Sequence, residues 1–303
     1  MFAVETRKLS KQFGTKAAVD GLTLGVPRGS VFGFLGPNGA GKTTTLRMLV
    51  GLARPSSGEA IVLGESILSS KQYLRRIGFL PDVPGFYNWM RPQEFLMLVG
   101  DIFGMSGRDL RMRVGEVLEL TGLDDVKVRI GGFSRGMKQR LGLAQAMLNQ
   151  PELLFMDEPT SALDPIGRKE ILDTISRLAG RTTVFFSTHI LNDVERVCDT
   201  VAIINHGSLV AQQSISSLKE SYSFHKIYLK LEGDPDISAA IESQPWVDRV
   251  ERHDHGWFLH LVDLPAAQQA LPGMIADHGL ALRRFELVEP SLEDIFVRLV
   301  NNQ

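Results

Sequence analysis

Short runs of uninterrupted apolar residues recur along the first two-thirds of the chain, each closed by glycine, proline or a polar residue. They are VFGFLG (31–36), IGFLP (77–81), LLFMDEP (153–159), TVFFSTH (183–189) and TVAIINHG (200–207). A run that is apolar at every position has no solvent face, so these predict strands of a parallel sheet covered on both sides by helices. Residues 42–52 predict one such helix. Residues 86–150 break the rhythm, because QEFLMLVGDIF, DLRMRVGEVLEL and MKQRLGLAQAML carry apolar residues at helical spacing. The expectation is an α/β domain over residues 1–215, with a helical subdomain inserted at about 86–150.

The pattern changes near QQSISSLKESYSF (212–224). KIYLKLE, DISAAIES, VDRVERH, WFLHLV, PAAQQALPGMIADHG and LRRFELVE then read as β-α-β-β-α-β, with a last helix after Pro290. This predicts a small α+β domain over residues 216–303. Two domains suit a chain of 303 residues.

Composition adds limits. Apolar residues make up 44% and charged residues 22%, as in a packed globular protein. The net charge of −2 offers no broad basic surface, so no nucleic-acid partner is expected. The single cysteine, Cys198, excludes an internal disulfide, and its apolar helical neighbours Val194 and Val197 mark it as a packing thiol suited to a reducing compartment. No apolar run approaches the ~18 residues of a spanning helix, and MFAVETRKLSKQFG has no apolar signal core. A cytoplasmic protein is expected, reaching a membrane only through a partner that spans it.

The chemistry begins with Gly36-Pro37-Asn38-Gly39-Ala40-Gly41-Lys42-Thr43, followed by Thr44. This matches G-x-x-x-x-G-K-[ST] in full and sits between a predicted strand and a predicted helix, the setting a phosphate-binding P-loop requires. Glycines let backbone N–H groups converge on phosphate, and the helix N-terminus adds partial positive charge. Lys42 has the reach for β- and γ-phosphates, and the Thr43 hydroxyl suits Mg²⁺. The strand LLFMDEP ends in Asp157 and Glu158, at the carboxyl edge where parallel sheets bind ligands. Asp157 is assigned to Mg²⁺ and Glu158 to a water in line with the γ-phosphate.

With these motifs in place, residues 1–215 resemble the nucleotide-binding domain of ABC ATPases. That implies a P-loop NTPase (RecA-like) core, with ATP and Mg²⁺ as ligands. FSRGMKQR (133–140) stands at the position of the family's signature, and the resemblance gives Ser134 and Gly136 contact with the γ-phosphate held by an opposite subunit. Seen alone, SRGMKQR predicts only a helix capped by Ser134. SALD (161–164) matches the D-loop, and His189 in STH matches the switch histidine. Phe13 takes the place of the aromatic residue that stacks on adenine. Asp82 stands where the family usually has a glutamine that links Mg²⁺ and water to the transport partner, and a carboxylate there is a further metal ligand. Lys42, Glu158 and His189 form the implied catalytic set.

The acid at position 82, the SRGMKQR signature and the tail EPSLEDIF (289–296) together resemble the exporter branch. The implied assembly is a homodimer, or a heterodimer with a related ATP-binding subunit, docked on an integral-membrane permease at the inner face of the cell membrane. GFYNWM (85–90) lies where the family receives a permease helix, and aromatic anchors suit such a surface. A soluble ABC ATPase acting on ribosomes or DNA is the alternative. The single P-loop, the lack of a sustained heptad run and the lack of a basic patch weigh against it. A P-loop kinase leaves Ser134, Gly136 and His189 unaccounted for.

Overall fold

The computed structural model describes residues 1–161, 163–221, 225–288 and 291–301. Ala162 of the SALD segment and Glu289 and Pro290 of the tail motif lie outside the described residues. The chain forms two compact units, Met1–Ile215 and Ser216–Gln303.

The first unit is built on a six-stranded sheet in the order Ser208–Ser214, Thr200–Asn205, Val31–Leu35, Thr183–Thr188, Leu153–Asp157, Ile77–Leu80. The last five are mutually parallel, and Ser208–Ser214 is an antiparallel edge. Val31–Leu35, Leu153–Asp157 and Thr183–Thr188 are buried at every position, as their apolar runs require. Phe185 is the hub of one face. Its ring lies 5.2 Å from Phe32, 5.3 Å from Phe34 and 5.5 Å from Phe155, so aromatic packing ties adjacent strands together. The P-loop helix, Lys42–Leu49, packs here through Leu46, Met48 and Leu49.

A second sheet joins the same core. Phe2–Phe13, Lys16–Pro27, Ser57–Val62 and Glu65–Ser66 form four antiparallel strands in the order Lys16–Pro27, Phe2–Phe13, Ser57–Val62, Glu65–Ser66. The sequence pattern does not announce it. Register shifts along the long hairpin break the strict alternation that marks a half-buried strand. The hairpin matters because its tip, where Phe13 pairs with Lys16, lines the cavity described below.

The helical subdomain comprises Pro92–Ile102, Gly107–Leu120 and Arg135–Met147. Pro92 begins the first of these and Glu94 accepts the Arg91 N–H at 2.8 Å, which fixes its start. Arg135–Met147 rests on strand Ile77–Leu80 at very close range. A Cβ on Gly78 would lie 2.0 Å from the Ala146 carbonyl oxygen, and one on Gly142 would lie 2.6 Å from Leu80 Cδ1.

The second unit carries an antiparallel sheet in the order Val247–His253, Gly256–Leu261, His225–Leu231, Leu282–Val288. Helices Ser238–Glu242 and Leu264–Asp277 supply Ile241, Ala267, Leu271 and Ile275 to its core, with Trp257 and Leu259 from the sheet. Cys198 ends helix Leu191–Val197 and is half-buried against Gly33. Burial raises its thiol pKa well above the ordinary value. Among the described residues, no helix is long and apolar enough to cross a membrane.

Candidate active site

The loop between Val31–Leu35 and Lys42–Leu49 turns back over the sheet. Gly41 makes this possible: it adopts φ 106°, and a Cβ there would lie 2.4 Å from the Ala18 carbonyl oxygen. Gly39 adopts φ 82° with open space beside it, so a ligand can approach the backbone at van der Waals distance. The cavity above the loop holds about 410 Å³. Phe13, Lys16, Ala18, Asn38, Gly39, Gly41, Lys42, Thr43, Thr44, Asp82 and Glu158 line it.

Lys42 is 6% exposed. Its ammonium donates to Gly36 O at 2.8 Å and Pro37 O at 3.2 Å, and lies 3.2 Å from Glu158 Oε1. A cation held so deep is pre-placed beside the loop that a phosphate would occupy. Glu158 follows its strand with φ 49°, a left-handed conformation uncommon outside glycine. The turn is held by the Glu158 N–H, which donates to Ser187 O at 2.9 Å. It directs the carboxylate back toward Lys42 on one side and His189 on the other, where Nδ1 lies 2.9 Å from Oε2. An ionised carboxylate only accepts, so in this pair the imidazole is the donor, through Nδ1.

Asp157 is buried. Its Oδ1 accepts the Ser187 hydroxyl at 2.6 Å and the Thr43 hydroxyl at 3.1 Å. Its pKa is raised: burial is the largest cause, the two hydroxyls oppose it, and the charges of Glu158 and Asp82 add to it. Thr43 and Asp157 therefore touch, forming an oxygen-only pair with the Glu158 and Asp82 carboxylates nearby. That donor set fits a hard divalent cation such as Mg²⁺. Among the described residues, no group of three or more acidic, histidine or cysteine side chains could hold a metal alone.

Asp82 is exposed on the cavity wall, and its Oδ1 accepts from Ser161 Oγ at 3.2 Å rather than from Thr43. Phe13 is 58% exposed at the cavity rim, with Lys11 Nζ 5.0 Å from its ring centre. Ser134 caps helix Arg135–Met147, accepting the Met137 N–H at 3.2 Å. Ser134 and Gly136 are not part of the cavity lining; Asp157 and His189 are not either, but each contacts a residue that is, Thr43 and Glu158 respectively. No sequence motif assigns Lys16, Ala18 or Ser187 to the site. The polar residue inside the apolar run FFST was the signal available for Ser187, since a buried hydroxyl needs a partner.

The chain resembles known proteins along its whole length. Residues 19–161 match the family described as ABC transporter, and residues 214–300 match "ATP-binding protein DrrA1-3-like, C-terminal domain". The bacitracin transport ATP-binding protein BcrA of Bacillus licheniformis is 39% identical over 98% of this chain and 97% of its own. The chain belongs to the ABC transporter ATP-binding proteins. The Nod factor export ATP-binding protein I of Rhizobium sp. strain N33 is 36% identical over 99% of this chain and 98% of its own. A solved "ATP binding subunit of ABC transporter" superposes with TM-score 0.65 at 28% identity, covering 73% of this chain and 93% of its own. As an ABC transporter ATP-binding protein with export-type relatives, the chain binds and hydrolyses ATP.

Proposed function

We propose that this chain is the motor subunit of a membrane exporter, hydrolysing MgATP at a head-to-tail dimer interface and driving a separate permease. The placement of the Glu158 carboxylate between Lys42 and His189 carries the reading. The N–H groups of Gly39 to Thr43 and the Lys42 ammonium bind the β- and γ-phosphates. Phe13 offers its exposed ring to adenine. Thr43 and Asp157 would hold Mg²⁺, which would supply neutralisation of phosphate charge. Glu158 accepts a proton from the attacking water, and the His189 Nδ1 proton keeps its carboxylate aimed.

Ser134 and Gly136 stand outside the cavity, so in this reading they serve the ATP of an opposing subunit. Hydrolysis then removes contacts on both sides, and the interface opens as a rigid-body motion. Residues 1–215 would form the ATPase domain and 216–303 an accessory domain. Tyr87 and Trp89, the latter 65% exposed, would offer aromatic anchors to the permease. The names of the relatives support export, and the chain would sit at the inner face of the membrane through its permease.

The test is Glu158→Gln. Turnover should fall roughly 10²–10⁴-fold, the usual worth of a positioned base. ATP affinity should hold or rise, because the neutral amide no longer competes with phosphate for Lys42. The variant should collect as an ATP-bound dimer on size-exclusion chromatography. Near wild-type hydrolysis would falsify the assignment.

A further inference from the structure

Asp193 lies outside the site just described, yet its carboxylate is among the most buried charged groups of the first unit, at 1% exposure. Oδ2 accepts the Thr160 hydroxyl, and Oδ1 accepts the Arg168 Nε–H at 2.6 Å. Thr160 is itself buried. Arg168 is only half-buried, and an ion pair with one desolvated partner is weak evidence of stabilisation. What the arrangement does supply is position.

The three residues belong to three segments that meet at the active site. Thr160 follows Glu158 across Pro159 alone. Arg168 lies in the first turn of helix Pro165–Leu178, directly after the Ser161–Asp164 segment, and its N–H donates to Asp164 O at 2.9 Å. Asp193 opens helix Leu191–Val197, just beyond His189. The chain between His189 and Asp193 is tied down as well. The Asp193 N–H donates to Ile190 O at 3.2 Å, and the Ile190 N–H donates to Thr188 Oγ1 at 3.0 Å. One carboxylate thus links the segment that follows Glu158 to the segment that follows His189.

We propose that Asp193 is a positioning residue for ATP hydrolysis, holding the Glu158 and His189 turns in the register that sets their 2.9 Å contact. This rests on the roles given above to Glu158 and His189. Asp193 touches neither side chain and acts only through the backbone of their turns. Freed from it, the two turns drift, and errors of about 1 Å in catalytic geometry cost up to ~10²-fold in rate.

The experiment is a double-mutant cycle in the full chain, with Asp193→Asn and His189→Ala alone and combined. Steady-state ATPase, affinity for a fluorescent ATP analogue and melting temperature are measured for each. Asp193→Asn should lower kcat roughly 10–100-fold while changing nucleotide affinity less than about twofold. On the His189→Ala background it should add less than about twofold, because groups acting as one unit are not additive. Thr160→Val removes only a hydroxyl, and if Asp193→Asn does not fold it carries the same cycle. Full multiplication of the two losses, or a lowered melting temperature with kcat unchanged, would make the cluster purely structural and overturn the proposal. Wild-type turnover in His189→Ala alone would instead remove the role of His189, and the proposal with it.

Discussion

Asp157 and Glu158 are adjacent in the chain yet live in different surroundings, and their chemistry differs accordingly. The strand places Asp157 inward, against the Ser187 and Thr43 hydroxyls, while the left-handed turn swings Glu158 onto Lys42 and His189. Burial raises the pKa of Asp157, so the folded chain holds its proton more tightly than the unfolded chain. Such an acid favours the fold most at low pH. Its contribution is lost as pH rises from the ordinary carboxylate value through the raised one. At neutral pH the buried charge is therefore a cost in the metal-free protein. Asp157→Asn keeps an oxygen for both hydroxyls and removes that charge. Its melting temperature without nucleotide should stay level or rise, while the stabilisation by MgATP should largely vanish. A clear loss of stability without nucleotide, read by thermal unfolding at pH 7, would contradict this account. Sequence motifs marked both acids, but the difference between them needed the turn at Glu158 and the hydroxyl of Ser187.

Strand Ile77–Leu80 and helix Arg135–Met147 meet where a side chain on Gly78 would reach a carbonyl oxygen of the helix. This approach fixes the helix that begins at Ser134, and so the site of the signature segment. Gly78→Ala cannot be absorbed by rotating a side chain, because the obstacle is backbone. It should destabilise the protein by ~3 kcal/mol or more, at the upper end for overpacking, measured by urea unfolding. A loss below ~1 kcal/mol would show that strand and helix separate freely. The apolar run at 77–81 and the helically spaced apolar residues of 137–148 announce these two elements. Glycine inside the strand hinted at a close neighbour, but not at which one. The hairpin Phe2–Phe13 and Lys16–Pro27 was harder to see, because its bulges scramble the two-residue period.

At the scale of the whole molecule, the residues assigned to one reaction do not all line one cavity. Lys42, Thr43, Glu158 and Phe13 surround a single cavity, while Ser134 and Gly136 lie outside its lining. If two copies share each site, Lys42→Ala and Ser134→Arg should each abolish turnover. Mixing the two inactive preparations should restore part of it. In a mixed dimer one site carries both defects and the other none, so recovery approaches a quarter of wild-type when dimers form at random and an intact site works alone. That estimate is on the order of the statistical share, half the dimers with half their sites, and it holds for a symmetric C2 assembly. Failure to recover any ATPase on mixing, with both variants folded and dimers of the mixed kind present, would argue against independent shared sites.

The sequence by itself determined the P-loop, the Asp157–Glu158 pair, the buried strands and the division of character near residue 215. Each of these rests on local chemistry: glycine geometry, a strand apolar at every position, acids at a strand end. Tertiary structure alone decided that Thr43 touches Asp157, that Glu158 bridges Lys42 and His189, and that Lys16 and Ala18 share the cavity with Phe13. It also brought Thr160, Arg168 and Asp193 together. Those contacts join residues far apart in the chain through sheet order and helix packing, and no local pattern encodes which distant partner a side chain will meet.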